Sequence, residues 1–166
     1  MRLHGFKHPQ RQQGLAIVEF TLVLPVLLLL LLAFGEFGRM LYQYNILLQA
    51  SRDADRFVAS KAWNSTLGKV ALSATLEADT KKVAVYGVPF VPVDPETELL
   101  SRVLPRLTTG DVVVTREGTD HVRVTITYTF CPVIGGGICT GALPGFFGNQ
   151  IALSIPLVAS TVMRAL

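Results

Sequence analysis

Residues 11–44 read RQQGLAIVEFTLVLPVLLLLLLAFGEFGRMLYQY. Residues 15–35 form a 21-residue stretch in which Glu19 is the only charge, and the 16 residues from 20 to 35 carry none. At 1.5 Å of rise per residue, a hydrocarbon layer of about 30 Å needs roughly 20 helical residues. The stretch is therefore long enough to span, provided that Glu19 sits at or inside one edge of the membrane. An acid at the centre of such a helix costs about 2.5–3.5 kcal/mol on insertion scales and less near the interface, so its presence calls for a reason.

Charge is distributed to match. Arg2, Lys7 and Arg11 lie in the first 14 residues, which hold no acid, whereas residues 15–166 carry 12 basic and 12 acidic side chains. The net charge of +3 therefore belongs to the leader. This pattern argues against a nucleic-acid surface and for a topology signal, because Lys and Arg stay on the cytoplasmic side of a first span. Residues 1–14 read as a targeting leader without apolar periodicity.

The expected fold class is α+β, with one long N-terminal helix over residues 15–62 followed by a small antiparallel-sheet domain over residues 67–166. The transmembrane part of the helix is expected at about 15–38. Pro25 interrupts it in a way a membrane helix tolerates. Glu36 and Arg39 stand at i, i+3 on one face, and Tyr42 and Tyr44 follow at the depth where aromatic rings favour the interface. Beyond it, Leu47, Ala50, Ala54, Phe57 and Val58 recur at helical spacing, with Gln49, Arg52, Asp53, Arg56 and Ser60 opposite, which predicts an amphipathic continuation. A break is expected at 63–66. Asn64-Ser65-Thr66 matches a glycosylation sequon, a pattern common by chance.

In the distal part, residues 67–78 are expected as a short helix and 82–88 (KVAVYGV) as a first strand. Asp94 as cap and Pro95 at the first helical position predict a helix over 95–104. Residues 111–116 and 121–130 predict a hairpin with its turn at 117–120. Val122, Val124, Ile126, Tyr128 and Phe130 share its buried face. A last strand is expected from Gln150 to about Met163, with Ile151, Leu153, Ile155, Leu157 and Ala159 inward, and with Pro156 marking a sheet edge. The long loop between these strands contains Phe146 and Phe147. Cys131 and Cys139 lie in CPVIGGGIC, a run that folds back readily. A disulfide suits an exported domain, with free thiols as the alternative. A metal or redox site is poorly supplied, since two thiols without nearby His make half a zinc shell and the spacing is not C-x-x-C. His121 stands alone in the domain, and no nucleophile elbow, zinc-helix or phosphate-loop motif is present. Neither an enzyme nor a cofactor is expected.

Gly14 followed by LAIVEF, with Glu19 at the fifth position after the glycine and Phe20 next, resembles the processing site of type IV prepilins. The longer run from Val18 to Arg56 resembles the TadE family, minor pseudopilins of the tight-adherence (Tad) pilus. Its pieces are Glu19-Phe20, Leu24-Pro25, the leucine run, Glu36-Phe37-Gly38-Arg39, Tyr42 and the Ala/Arg segment from 50 to 56. The resemblance covers residues 11–58 and implies cleavage between Gly14 and Leu15 by a prepilin peptidase at the inner membrane. It also implies that Glu19, beside Phe20, neutralises the new amine of a neighbouring subunit during assembly. The implied partners are the membrane, other pilin or pseudopilin subunits, the Tad assembly machinery and the peptidase. The implied location is single-pass in the inner membrane, with the leader cytoplasmic and the domain periplasmic or extracellular. Two alternatives share the composition. One is a signal-anchored protein, and the other is a secreted domain cut after Gly35, where Ala33-Phe34-Gly35 offers small residues.

Overall fold

The structure, a computed structural model, describes residues 13–91, 95–133, 139, 142–144, 150–152 and 154–166. The chain divides into two units, residues 1–38 and 39–166. Helix α1, Gln13–Ala59, continues through Pro25. In the first unit its described side chains are exposed except for Leu24 and Glu36, which are half-buried. The helix is long and apolar enough to cross a membrane.

The second unit packs the rest of α1 against a sheet and a second helix. Leu47, Ala50, Ala54 and Val58 are buried and Phe57 is partly so, whereas Gln49, Arg52, Asp53, Arg56 and Ser60 are exposed, the two faces expected from the spacing. The helix stops when Ser60 and Lys61 turn, close to the expected break. Short strands β1, Trp63–Asn64, and β2, Lys69–Val70, then pair antiparallel. The Asn64 side chain closes the turn between them by accepting from Thr66 N and Leu67 N, each at 3.0 Å. Its local role is that of a turn-former.

Two expectations are corrected here. Residues 67–78 are not one helix and 82–88 are not a strand. Helix α2, Ala74–Tyr86, spans the region instead. Ser73 Oγ caps it by accepting from Leu76 N, and Glu77–Lys81 and Asp79–Lys82 pair at one-turn spacing. Gly87, at φ 73°, ends it in the left-handed conformation that glycine adopts without a Cβ penalty. The Val83/Val85 alternation suggested a strand, but Thr80, Val83 and Ala84 form a helical buried stripe that includes Val85. Helix α3, Pro95–Ser101, is shorter than expected, because Val103 N leaves the helical series to donate to Val85 O.

After a 3-10 turn at Thr109–Asp111, strands β3, Val112–Glu117, and β4, His121–Phe130, form the expected hairpin, with Glu117 opposite His121. Gly118 takes φ 71° in the turn. Val122, Val124, Ile126, Tyr128 and Phe130 are buried, as their period of two requires. A single strand over 150–163 is the third correction. Strand β6, Gln150–Ala152, pairs with β5, Ala142–Pro144, and a separate β7, Ile155–Arg164, pairs with β4. The main sheet is ordered β3-β4-β7, which puts Pro156 on an edge strand. Leu157 and Ala159 point inward, but Ile155 does not. It pairs with Phe130 at the end of the ladder. The leader through Gln12, Asp94, Phe146, Phe147, Leu153 and the side chain of Ile151 lie outside what is described.

Three backbone bonds close the far end of the unit. Val70 N donates to Thr119 O, Ala165 N to Asp120 O and Leu166 N to Ala59 O. The core between these elements joins α1 to Val83, Ala84, Leu107, Val112, Val124 and Ile126. Burying a side chain such as Ile126 contributes about 1.5–3 kcal/mol.

Candidate functional site

The first turns of α1 hold the residues singled out in the sequence. Gly14, Glu19 and Phe20 are exposed on the helix, and Leu15 lies in its backbone. Leu15 and Glu19 are four residues apart, about one helical turn along the backbone. Gly14 and Phe20 lie within two turns of each other. A Cβ at Gly14 would meet nothing within 4 Å. The peptide bond after Gly14 lies within α1, Gln13–Ala59. Among the described residues of this unit, the apolar side chains on either side of Glu19 are exposed.

Cys131 and Cys139 belong to the second unit. They are joined as a disulfide with Cα atoms 4.8 Å apart, just beyond the end of β4. Arg39 Nη2 donates to Cys131 O at 2.7 Å, and its guanidinium lies 5.3 Å from the centroid of the Phe130 ring. The disulfide corner and α1 are thereby linked through one side chain, whose sequence reading placed it only beside Glu36. The spacing carried no sign of this contact, since 92 residues separate donor and acceptor.

A second feature went unread in the sequence. Asp55 is fully buried on the inner face of α1, and neither carboxylate oxygen has a hydrogen-bond partner among the described residues. Beside it, Thr161 of β7 donates its hydroxyl to Ser51 O at 3.0 Å. Burial pushes the Asp55 carboxyl up to about 6, with the Thr161 hydroxyl opposing. The signal was present in principle, because Asp55 falls between Ala54 and Val58 in the buried stripe and four residues after Ser51. His121, by contrast, is the solvated strand residue expected, bonded through Nδ1 to Asp120 at 2.8 Å.

Among the described residues, no group of three or more His, Cys, Asp or Glu side chains is arranged to hold a metal ion. One apolar helix carries a lone acid near its start and continues into a packed domain.

Residues 14–56 match the family model described as TadE-like protein, which covers 43 of the 166 residues. The match is consistent with a TadE-like protein of Tad pilus systems, and the single N-terminal apolar helix fits single-pass inner-membrane anchoring in a pilus component. No curated protein and no solved structure matches the chain.

Proposed function

Taking a TadE-like segment over residues 14–56 as the premise, we propose that the chain is a minor pilin or pseudopilin that takes part in assembling or priming a Tad pilus for surface adhesion. It acts as a structural subunit and not as an enzyme. Residues 1–14 are a leader on the cytoplasmic side, removed after Gly14 by a prepilin peptidase. Residues 15–38 span the inner membrane, and the domain over 67–166 lies on the periplasmic or extracellular side, where Cys131 and Cys139 are oxidised.

The observation that carries this reading is the pairing of Gly14 with Glu19 inside the matched segment, on a helix that holds no other charge until Glu36. Cleavage creates an amine on Leu15. In a low-dielectric setting an ammonium and a carboxylate stabilise one another, whereas either alone is costly. The Glu19 carboxylate of one subunit therefore has a reason to meet the Leu15 amine of its neighbour, with Phe20 packing beside them. A glycine beside the scissile bond lowers the cost of unwinding helix there for a peptidase.

Intact mass of the mature protein tests the reading directly. A chain beginning at Leu15 supports it. A chain beginning at Met1 identifies a signal anchor instead, and one beginning at Glu36 a secreted domain.

A further inference from the structure

The two sulfurs of the Cys131–Cys139 disulfide stand in unequal surroundings. Arg106 directs Nη1 at Cys139 Sγ, so a cationic N–H lies against that sulfur. Cys131 Sγ instead has the Thr129 carbonyl oxygen 3.5 Å away, the negative end of a peptide dipole. The other guanidinium nearby, that of Arg39, bonds the backbone carbonyl of Cys131 and lies over the Phe130 ring. Both cysteines are half-buried, and Cys131 lines a groove of about 220 Å³ with Arg39, Gln43, Arg106 and Tyr128.

Arg106 is held on both sides along the chain. Its φ is 72°, and it is the only described residue other than glycine with positive φ. Such a conformation persists only where the surroundings enforce it. Before it, Pro105 O accepts from the Tyr128 phenol at 3.0 Å, and after it Leu107 is fully buried. Its charge is felt locally too. Burial pushes the Tyr128 phenol up, and Arg106 and then Arg39 oppose that push.

Thiol–disulfide exchange starts when a thiolate attacks one sulfur and expels the other, and the sulfur that better holds negative charge leaves faster. A neighbouring arginine favours the thiolate, whereas a carbonyl oxygen beside a sulfur disfavours it. We propose that Cys131–Cys139 is an exchangeable disulfide with a fixed direction, entered by an external thiolate at Cys131 while Cys139 leaves toward Arg106. The reductant is a small monothiol or the dithiol of a thiol–disulfide oxidoreductase. In the first step the external sulfur bonds to Cys131 Sγ, the bond to Cys139 Sγ breaks, and the electron pair stays on Cys139 as a thiolate that accepts from Arg106 Nη1. In the second step another thiolate attacks the external sulfur and departs with it as the oxidised disulfide. Cys131 is released as a thiolate and takes a proton from solvent. Two electrons thus pass from two thiols to the protein. The covalent clasp at the end of β4 opens, while the Arg39 bond to Cys131 O involves no sulfur. Every group named lies in the second unit, so the clasp does not depend on the pilin reading.

The test uses the oxidised full chain in neutral detergent with excess 2-mercaptoethanol, a thiol without other charged groups. Samples are quenched in acid at early times, and peptide mass spectrometry reads which cysteine carries the adduct. The adduct on Cys131 is expected to exceed that on Cys139 by about fivefold, and Arg106→Gln should slow loss of the disulfide by about the same factor. Arg106→Lys should keep most of the rate. Arg106→Gly relieves the left-handed backbone, so it should fold at least as stably and yet slow exchange as Arg106→Gln does. A variant that merely loosened the fold would expose the disulfide and speed its loss, so slowing separates the charge from damage. Equal adducts on the two cysteines, or an excess on Cys139, overturn the proposal. Exchange in Arg106→Gln and Arg106→Gly as fast as in the wild type overturns it too, as does a disulfide that resists the thiol until the domain unfolds.

Discussion

The Thr161 hydroxyl donates to the Ser51 carbonyl at 3.0 Å, joining the last strand to the first helix beside the buried Asp55. The Thr161 hydroxyl, which opposes the upward push of burial on the Asp55 carboxyl, also bonds the backbone of α1. Helix and sheet meet here across a carboxyl whose oxygens have no hydrogen-bond partner among the described residues, in a core that is otherwise almost entirely apolar.

Asp55 should make stability depend on pH. Its carboxyl ionises near 3.8 in the unfolded chain and near 6 in the fold. Below about pH 4 both states are protonated and Asp55 has no effect. Between about pH 4 and 6 the fold loses stability as the pH rises, and above that interval the loss is complete, on the order of 3 kcal/mol at about 1.4 kcal/mol per pKa unit. Asp55→Asn should therefore raise the midpoint of thermal unfolding at pH 8 and leave it nearly unchanged at pH 4. The amide still lacks partners, so the gain should fall short of the full figure. A variant equally destabilised at both pH values would contradict this account.

Reduction should loosen the domain. A disulfide closing a loop this short stabilises by about 2–3 kcal/mol in the chain-entropy description. Cys139→Ser, or the wild type in reductant, should lose roughly that much in denaturant unfolding. The intact mass of the untreated protein should be two hydrogens below the thiol form. Equal stability with and without reductant would show that the pair does not constrain the fold.

Helix α2 depends on its two ends. Ser73→Ala removes the cap that Leu76 N uses and should cost about 1 kcal/mol. Gly87→Ala places a Cβ at φ 73° and should cost about 1 kcal/mol, although nothing lies within 4 Å of the new atom. The two sites share no contact, so the losses should add in the double variant. Chemical denaturation of the three variants measures this.

The processing segment should respond without any loss of fold. Gly14→Ala meets open space and favours the helix by up to about 1 kcal/mol, so a failure of leader removal would reflect recognition and local unwinding. Glu19→Ala should leave the anchor inserted, because removing an acid from an apolar segment eases insertion. It should nevertheless abolish pilus-dependent adhesion. Normal piliation in both variants would sink the pilin reading.

Much of the architecture was written locally. The apolar run, its lone acid, the amphipathic faces of α1 and the strict alternation of β4 depend on side-chain periodicity over neighbouring residues, which a single sequence displays directly. So did the resemblance over residues 11–58, which the match over 14–56 parallels. Residues 67–88 were misread because Val83 and Val85 satisfy both periods. The choice of helix rests on the Ser73 and Gly87 ends and on burial of Thr80, Val83 and Ala84 together. The break between β6 and β7 was likewise invisible, since each half alternates like a strand and only the choice of partner, β5 or β4, divides them.

What tertiary structure alone decided are the contacts that span the chain. Residues 11–44 announced an anchor whose apolar stretch, 15–35, holds one acid, and they placed Arg39 no further than its helical neighbour. Only folding brings Arg39 to Cys131 and Phe130, and to the groove it shares with Arg106. Only folding seals Asp55 beneath β7. The spacing of residues along a helix specifies which face they occupy, but some of the groups bonded to that helix come from 92 and 110 residues away. Their burial, and with it the energetics of charge, exists only once the sheet has closed over the helix.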